Sequence, residues 1–138
     1  MQIKRTASAL WNGSGKEGKG VLSTASNVLN KTQYSFATRF ENGIGTNPEE
    51  LIGAAHAGCF SMKLAFVFQA AGITAESIET NATVILEDGA IPEVQLSVKV
   101  KAPGLDKAKF EEYALDAKTN CPISKLLNAK IVLTTELI

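Results

Sequence analysis

The chain holds two cysteines, Cys59 and Cys121, in contrasting sequence settings. Cys59 lies inside the apolar run Ala54-Ala55-His56-Ala57-Gly58-Cys59-Phe60, while Cys121 opens the segment Asn120-Cys121-Pro122-Ile123-Ser124. One thiol is expected to be sheltered and the other held at a helix start, an arrangement suited to dithiol redox chemistry. With Pro122 at the first helical position, Cys121 takes the cap, where free backbone N–H groups favour a thiolate. A cysteine among apolar groups faces the opposite pull, because desolvation disfavours its charged form. Cys59 therefore needs a cation.

Arg39, in Thr38-Arg39-Phe40, is the candidate. A guanidinium stays charged and offers five donors, so one side chain can hold a thiolate, an attacking oxygen and a carboxylate together. Glu49 is the carboxylate suited to orient it. Glu49 precedes Cys59 by ten residues on one helix, a rise of about 15 Å and nearly three turns. Both belong to one compact site only if a twofold-related chain supplies one of them or the helix breaks near its start, and the dimer is the favoured arrangement. Plainer roles stand beside these: a solvated strand arginine, an acid at a positive helix N-terminus, and a cysteine in place of a capping serine.

His56, the single histidine, stands three residues before Cys59 and on nearly the same helical face. A Cys59/His56 pair would suit a thiol hydrolase, but no Asp or Asn close in sequence offers to orient the ring, and a lone histidine on an apolar helix is most often a satisfied core residue. His56, Cys59 and Cys121 give three metal ligands at most, with no C-x-x-C knuckle. Gly13, Gly15, Gly18 and Gly20 lack the strand-to-helix context of a phosphate loop.

These residues must be positioned by a single domain, 1–138, long enough to bury a core with 45% hydrophobic residues. Lys+Arg and Asp+Glu are equal at 14 each, so charge marks no nucleic acid and no anionic membrane surface as partner. The first residues show no apolar stretch of signal-peptide length, which sets a cytoplasmic location as the expectation. Thiols there are kept reduced, so a disulfide between the two cysteines would be a step in a cycle rather than a staple.

The opening segments Ile3 to Trp11 and Gly20 to Thr24 read as strands, and Tyr34, Phe36, Thr38 and Phe40 alternate as a third, with Arg39 pointing away from them. Asn47, Pro48 and Glu50 then start a helix as cap, first residue and capping-box carboxylate, which leaves Glu49 without a structural task. The helix runs to about Ala71 and stops at Gly72. Leu51 to Gly72 is long enough to span a membrane, but it carries His56, Lys63 and Gln69 and reads as a core helix. Apolar on nearly all sides, it implies a second covering layer or subunit, and Gly53, Ala57 and Ser61 at four-residue spacing invite close approach of another backbone. Strands on Ile78 to Leu86 and Val94 to Val100 flank the turn Asp88-Gly89. Asp106 caps an amphipathic helix with Phe110, Tyr113, Ala114 and Ala117 as its stripe; a short helix from Pro122 and a closing strand over Ile131 to Leu137 complete an α+β order.

Thr38-Arg39-Phe40, the segment from Gly45-Thr46-Asn47-Pro48-Glu49 through His56-Ala57-Gly58-Cys59-Phe60, and Cys121-Pro122-Ile123-Ser124 together resemble the osmotically inducible protein C (OsmC) and organic hydroperoxide resistance (Ohr) family. The resemblance covers the whole chain, and Arg39 in its T-R-F segment is similar to the OsmC branch. It implies an OsmC-like α+β fold of antiparallel sheets around a long central buried helix, an intertwined homodimer, and a thiol peroxidase acting on organic hydroperoxides and more weakly on hydrogen peroxide. It further implies Cys59 as the peroxidatic and Cys121 as the resolving cysteine, forming a disulfide, with Arg39 as activating arginine and Glu49 as its partner. The implied reductant is a dithiol, the dihydrolipoyl group of a lipoylated protein, and no cofactor or metal is implied. Two other readings remain open: a non-catalytic binding domain of the same fold, and the Cys59/His56 hydrolase.

Overall fold

Strict alternation in Ala90–Lys101 buries Val94, Leu96, Val98 and Val100 on one face of a central strand and leaves the residues between them exposed. A computed structural model describes all 138 residues. In chain order the elements are β1 (Ala7–Asn12), β2 (Lys19–Thr24), β3 (Thr32–Tyr34), α1 (Phe36–Phe40), α2 (Pro48–Ala70), β4 (Ser77–Glu87), β5 (Ala90–Lys101), α3 (Lys107–Asn120), α4 (Pro122–Leu126) and β6 (Lys130–Leu137). The chain divides into two compact units, Met1–Leu51 and Ile52–Ile138.

In the first unit β1, β2 and β3 form an antiparallel sheet. Trp11, Gly20 and Tyr34 lie side by side across it, with the two rings 5.3 Å apart. A side chain at position 20 would strike both rings, its Cβ falling 2.4 Å from Tyr34 and 2.5 Å from Trp11, so glycine is required. The third strand is shorter than the alternation of Tyr34, Phe36, Thr38 and Phe40 predicts. It ends at Tyr34, and Phe36–Phe40 is helical. The cause is a reciprocal cap: Thr38 N–H donates to Ser35 Oγ at 3.3 Å, and Ser35 N–H donates to Thr38 Oγ1 at 2.9 Å. Phe36 and Phe40, four residues apart, then pack at 4.9 Å on one helical face, and Arg39 sits in a helical last turn rather than on a strand.

In the second unit β4, β5 and β6 form the other sheet, with β5 central. Asp88 and Gly89, both at positive φ, make the β4–β5 hairpin turn. β5 and β6 run parallel, which departs from the expected antiparallel pairing. The chain between them is spent on α3 and α4, and such a helical crossover returns a strand in the direction of its neighbour. α2 buries one stripe, Gly53, His56, Phe60, Leu64 and Phe68, at three- and four-residue spacing. Phe60, Leu64 and Phe68 join the β5 residues and Phe110, Ala114 and Ala117 of α3 in one core. The close approach anticipated at Gly53 and Ser61 is made by β4 of the same chain: a Cβ on Gly53 would lie 3.5 Å from Val84, and Ser61 Oγ is 2.7 Å from Thr80 Oγ1.

Burying a leucine or phenylalanine side chain contributes about 1.5–3 kcal/mol, and truncation adds the cost of the cavity. Leu64→Ala, at a position with 0% exposure, is expected to lose about 2–5 kcal/mol of unfolding free energy. The exposed Leu126→Ala should change it by no more than about 0.5 kcal/mol. Urea denaturation measures both, and equal effects would place the core elsewhere.

Candidate functional site

Cys121 is one joint between two helices. Its N–H donates to Ala117 of α3 at 2.9 Å, and its carbonyl accepts from Lys125 of α4 at 3.1 Å. That fixes its Cα, and Pro122 sets the direction in which α4 departs. Its side chain makes no cap for the helix it opens, and donates instead to Cys59 Sγ at 2.8 Å. Both cysteines are free thiols. Closing them to a disulfide at about 2.05 Å needs less than about 1 Å of movement.

Cys121 opens α4 as its N-cap, as expected, but the burial of the two thiols is the reverse of that anticipated. Cys121 is fully buried, while Cys59, flanking the buried stripe of α2 rather than lying in it, is partly accessible. The backbone at the start of α4 also acts on the other sulfur, since Ile123 favours the charged form of Cys59. Burial first, and then the neighbouring Cys121 thiol, hold the Cys59 thiol above its ordinary range, while the Ile123 backbone and Lys63, four residues along α2, pull it back. Within its own unit the Cys59 thiolate lacks a guanidinium.

Arg39 and Glu49 pair inside the first unit. Arg39 Nε and Nη2 each donate to Glu49 Oε1 at 2.7 Å. Five donors less these two leave three uncommitted. The guanidinium also lies 5.3 Å from the Phe40 ring centroid. Glu49 Oε2 is buried without a partner.

The loop before α2 is built to hold this pair. Gly45 sits at φ +136°, and a Cβ there would come within 2.5 Å of the Gln33 carbonyl. Thr46 N–H donates to that same carbonyl at 3.0 Å, and Thr46 Oγ1 donates to the Glu50 carboxylate at 2.7 Å. Asn47 Oδ1 caps the Glu50 N–H at 2.8 Å while its Nδ2 reaches the Thr38 carbonyl at 3.0 Å, joining the α2 start to α1. Glu50 thus answers Thr46 rather than completing the anticipated reciprocal capping box. Glu49 is left to Arg39, as its freedom from a capping task suggested.

His56 is fully buried, its Nε2 2.8 Å from Ser124 Oγ of α4 and its Nδ1 without a partner. The bonded nitrogen is therefore committed to Ser124. Ile123, Ser124 and Lys63 escaped the sequence reading as neighbours of the thiols. Lys63 was accessible from its i+4 spacing to Cys59, whereas the Ser124 contact, 68 residues distant from His56, had no local signal.

The second unit thus carries a preassembled dithiol with one accessible and one buried sulfur, a class of site suited to reversible disulfide formation. A family model described as OsmC-like protein matches residues 41–136. The chain is 47% identical over 141 residues to peroxiredoxin OsmC of Escherichia coli, with 99% of each chain covered. It is 29% identical to the organic hydroperoxide resistance protein OhrA of Bacillus subtilis over 88% of each. The crystal structure of an OsmC-like protein from Mycoplasma pneumoniae has a TM-score of 0.79 at 16% identity, covering 100% of this chain and 99% of that one, a likeness of fold. The chain belongs to the OsmC-like family and has its α+β fold.

Burial holds the His56 ring below its ordinary pKa of 6.5, and hence neutral in the folded protein. The unfolded chain binds the extra proton below that pH, so this contribution to stability is full above about 6.5 and is lost as the pH falls through the window beneath it. The urea midpoint is expected to drop between pH 7.5 and 5.5, and to drop less in His56→Gln. An equal drop in the variant would assign the slope to other groups.

Proposed function

We propose that the accessible sulfur of the dithiol is the one oxidised and that Cys121 resolves it. The protein is a thiol-dependent peroxidase. The observation that carries the assignment of roles is the 2.8 Å approach of two unbonded sulfurs, one partly accessible and the other fully buried. The Cys59 thiolate attacks the terminal oxygen of a hydroperoxide. The S–O bond forms as the O–O bond breaks, and the departing alkoxide takes a proton to leave as alcohol. The Cys121 thiol then displaces the sulfenic oxygen as water, forming the disulfide. An external dithiol restores both thiols by exchange and is itself oxidised to a disulfide.

Arg39 and Glu49 supply what the dithiol lacks. The uncommitted guanidinium donors can bind a thiolate and a peroxide oxygen, and the unpartnered Glu49 Oε2 is an acceptor for the hydroperoxide O–H. The substrate class is organic hydroperoxides, with hydrogen peroxide a weaker substrate. Glu49 and Cys59 lie ten positions apart on the helix Pro48–Ala70, a rise of about 15 Å, which supports a homodimer in which one chain's arginine and glutamate serve the other chain's thiols. Ala54, Gly58, Met62 and Phe66, at four-residue spacing, form an exposed apolar stripe on that helix and support the same arrangement. The dithiol reductant is a lipoylated protein, and the setting is the cytoplasm.

Mixing the reduced protein with stoichiometric cumene hydroperoxide is expected to remove two thiols per chain as a Cys59–Cys121 disulfide, read by mass spectrometry, and none in Cys59→Ser. Unchanged thiols in the parent chain would sink the assignment. Arg39→Met should slow the reaction about 10–100-fold, the worth of a charge-assisted hydrogen bond of roughly 1.5–3 kcal/mol, and move its pH midpoint upward. Arg39→Lys should recover little of the loss, since a point charge cannot replace the planar fork. Near-parental rates for Arg39→Met would remove the arginine from the site.

A further inference from the structure

His56 and Ser124 belong to the dithiol neighbourhood but take no part in the cycle above. His56 precedes Cys59 by three residues on α2, and Ser124 follows Cys121 by three on α4. Each therefore shares a helix face with one thiol. The pairs meet crosswise, Cys121 Sγ against Cys59 Sγ at 2.8 Å and Ser124 Oγ against His56 Nε2 at 2.8 Å. Two rungs, about one helical turn apart, fasten the five-residue α4 to α2.

The rungs differ in what happens to them. The sulfur rung is remade when Cys59 carries an oxygen, because Cys121 must come to lie opposite the S–O bond that it displaces. The polar rung is untouched by the chemistry. His56 is fully buried and its Nδ1 is unpartnered. A buried N–H without an acceptor is rarer and costlier than an unused lone pair, so the ring proton sits on Nε2 and is donated to Ser124 Oγ. Burial also keeps the ring neutral.

Resting on the dithiol cycle, we propose that the His56–Ser124 hydrogen bond is the lasting rung, holding α4 against α2 while the sulfur rung is open and setting how readily Cys121 closes on Cys59. Closure forms the S–S bond and breaks the sulfenic S–O bond, and the hydroxyl leaves as water with the Cys121 proton. Slow closure exposes the sulfenic acid to a second hydroperoxide, which converts it to sulfinic acid and an alcohol. His56 and Ser124 are thus positioning residues, and they protect Cys59 by keeping its partner within reach.

The test reads closure without peroxide. Full-length protein is equilibrated in glutathione redox buffers, and the fraction of Cys59–Cys121 disulfide is measured by alkylation and mass spectrometry. Ser124→Ala is expected to lower the equilibrium constant for closure, because a loosened α4 must be returned to α2 before the disulfide forms; the energy of one hydrogen bond sets the ceiling at roughly tenfold, about 30 mV for this two-electron couple. His56→Leu should give the same shift and the double variant no more than either single one. Ser124→Thr, which keeps the hydroxyl, should return to within about twofold of the parent, and Leu126→Ala, an exposed change on the same helix, should not move it. No shift in Ser124→Ala, or an equal shift in Ser124→Thr, overturns the proposal. With cumene hydroperoxide, Ser124→Ala should accumulate Cys59 sulfinic acid at doses that leave the parent as disulfide. A parent chain that closes in glutathione buffer yet ignores hydroperoxide would sink the peroxidase assignment and leave the rung standing.

Discussion

The packing of one stripe of α2 against the β4–β5–β6 sheet and α3 sets the position of every group around the dithiol. Phe60, Leu64 and Phe68 lock the helix's rotation, because turning it would drag buried aromatic and aliphatic area into water. With the rotation fixed, His56 must point inward and Cys59 must lie at the margin. Phe68 packs in turn against Phe110 and Tyr113, which anchors α3. α3 then hands over to α4 through Cys121 alone, the C-cap of one and the N-cap of the other. A hydrophobic contact several turns away thereby bears on where the Cys121 sulfur sits.

The other unit reaches similar definition by different means. Its loop has little apolar content, and the Gln33, Thr46, Asn47 and Glu50 side chains are each tied by hydrogen bonds. Hydrogen bonds to Gln33, Thr38 and Glu50 do there what side-chain packing does around α2. The consequence is directional: a carboxylate in the first turn of a long helix, near its positive end, facing an arginine in the last turn of a short one.

Much of this was legible in the residues because the governing rules are local. Asn47-Pro48 at the helix start, Gly72 at its end, Asp88-Gly89 in the hairpin and the alternation in β5 each depend on a few neighbouring positions. The failures share a cause as well. Tyr34, Phe36, Thr38 and Phe40 alternate as a strand would, yet Ser35 and Thr38 also satisfy a helix cap, and the cap won because two hydrogen bonds close within four residues. Which cysteine would be buried depended on helix rotation, and the parallel β5–β6 pair on where a crossover lands. Both are set by contacts distant in sequence. The pairing of His56 with Ser124 is of the same kind.

Complete burial of Cys121 gives the site a handedness in time. An incoming thiolate must reach a sulfur along the line of the bond it breaks, and only the Cys59 side offers access. In the proposed cycle both oxidant and reductant therefore arrive at one atom, and Cys121 serves as the departing group without meeting either. A mixed disulfide trapped on this protein would be carried by Cys59, so the accessible thiol records the identity of the redox partner while the concealed one enforces the order of events.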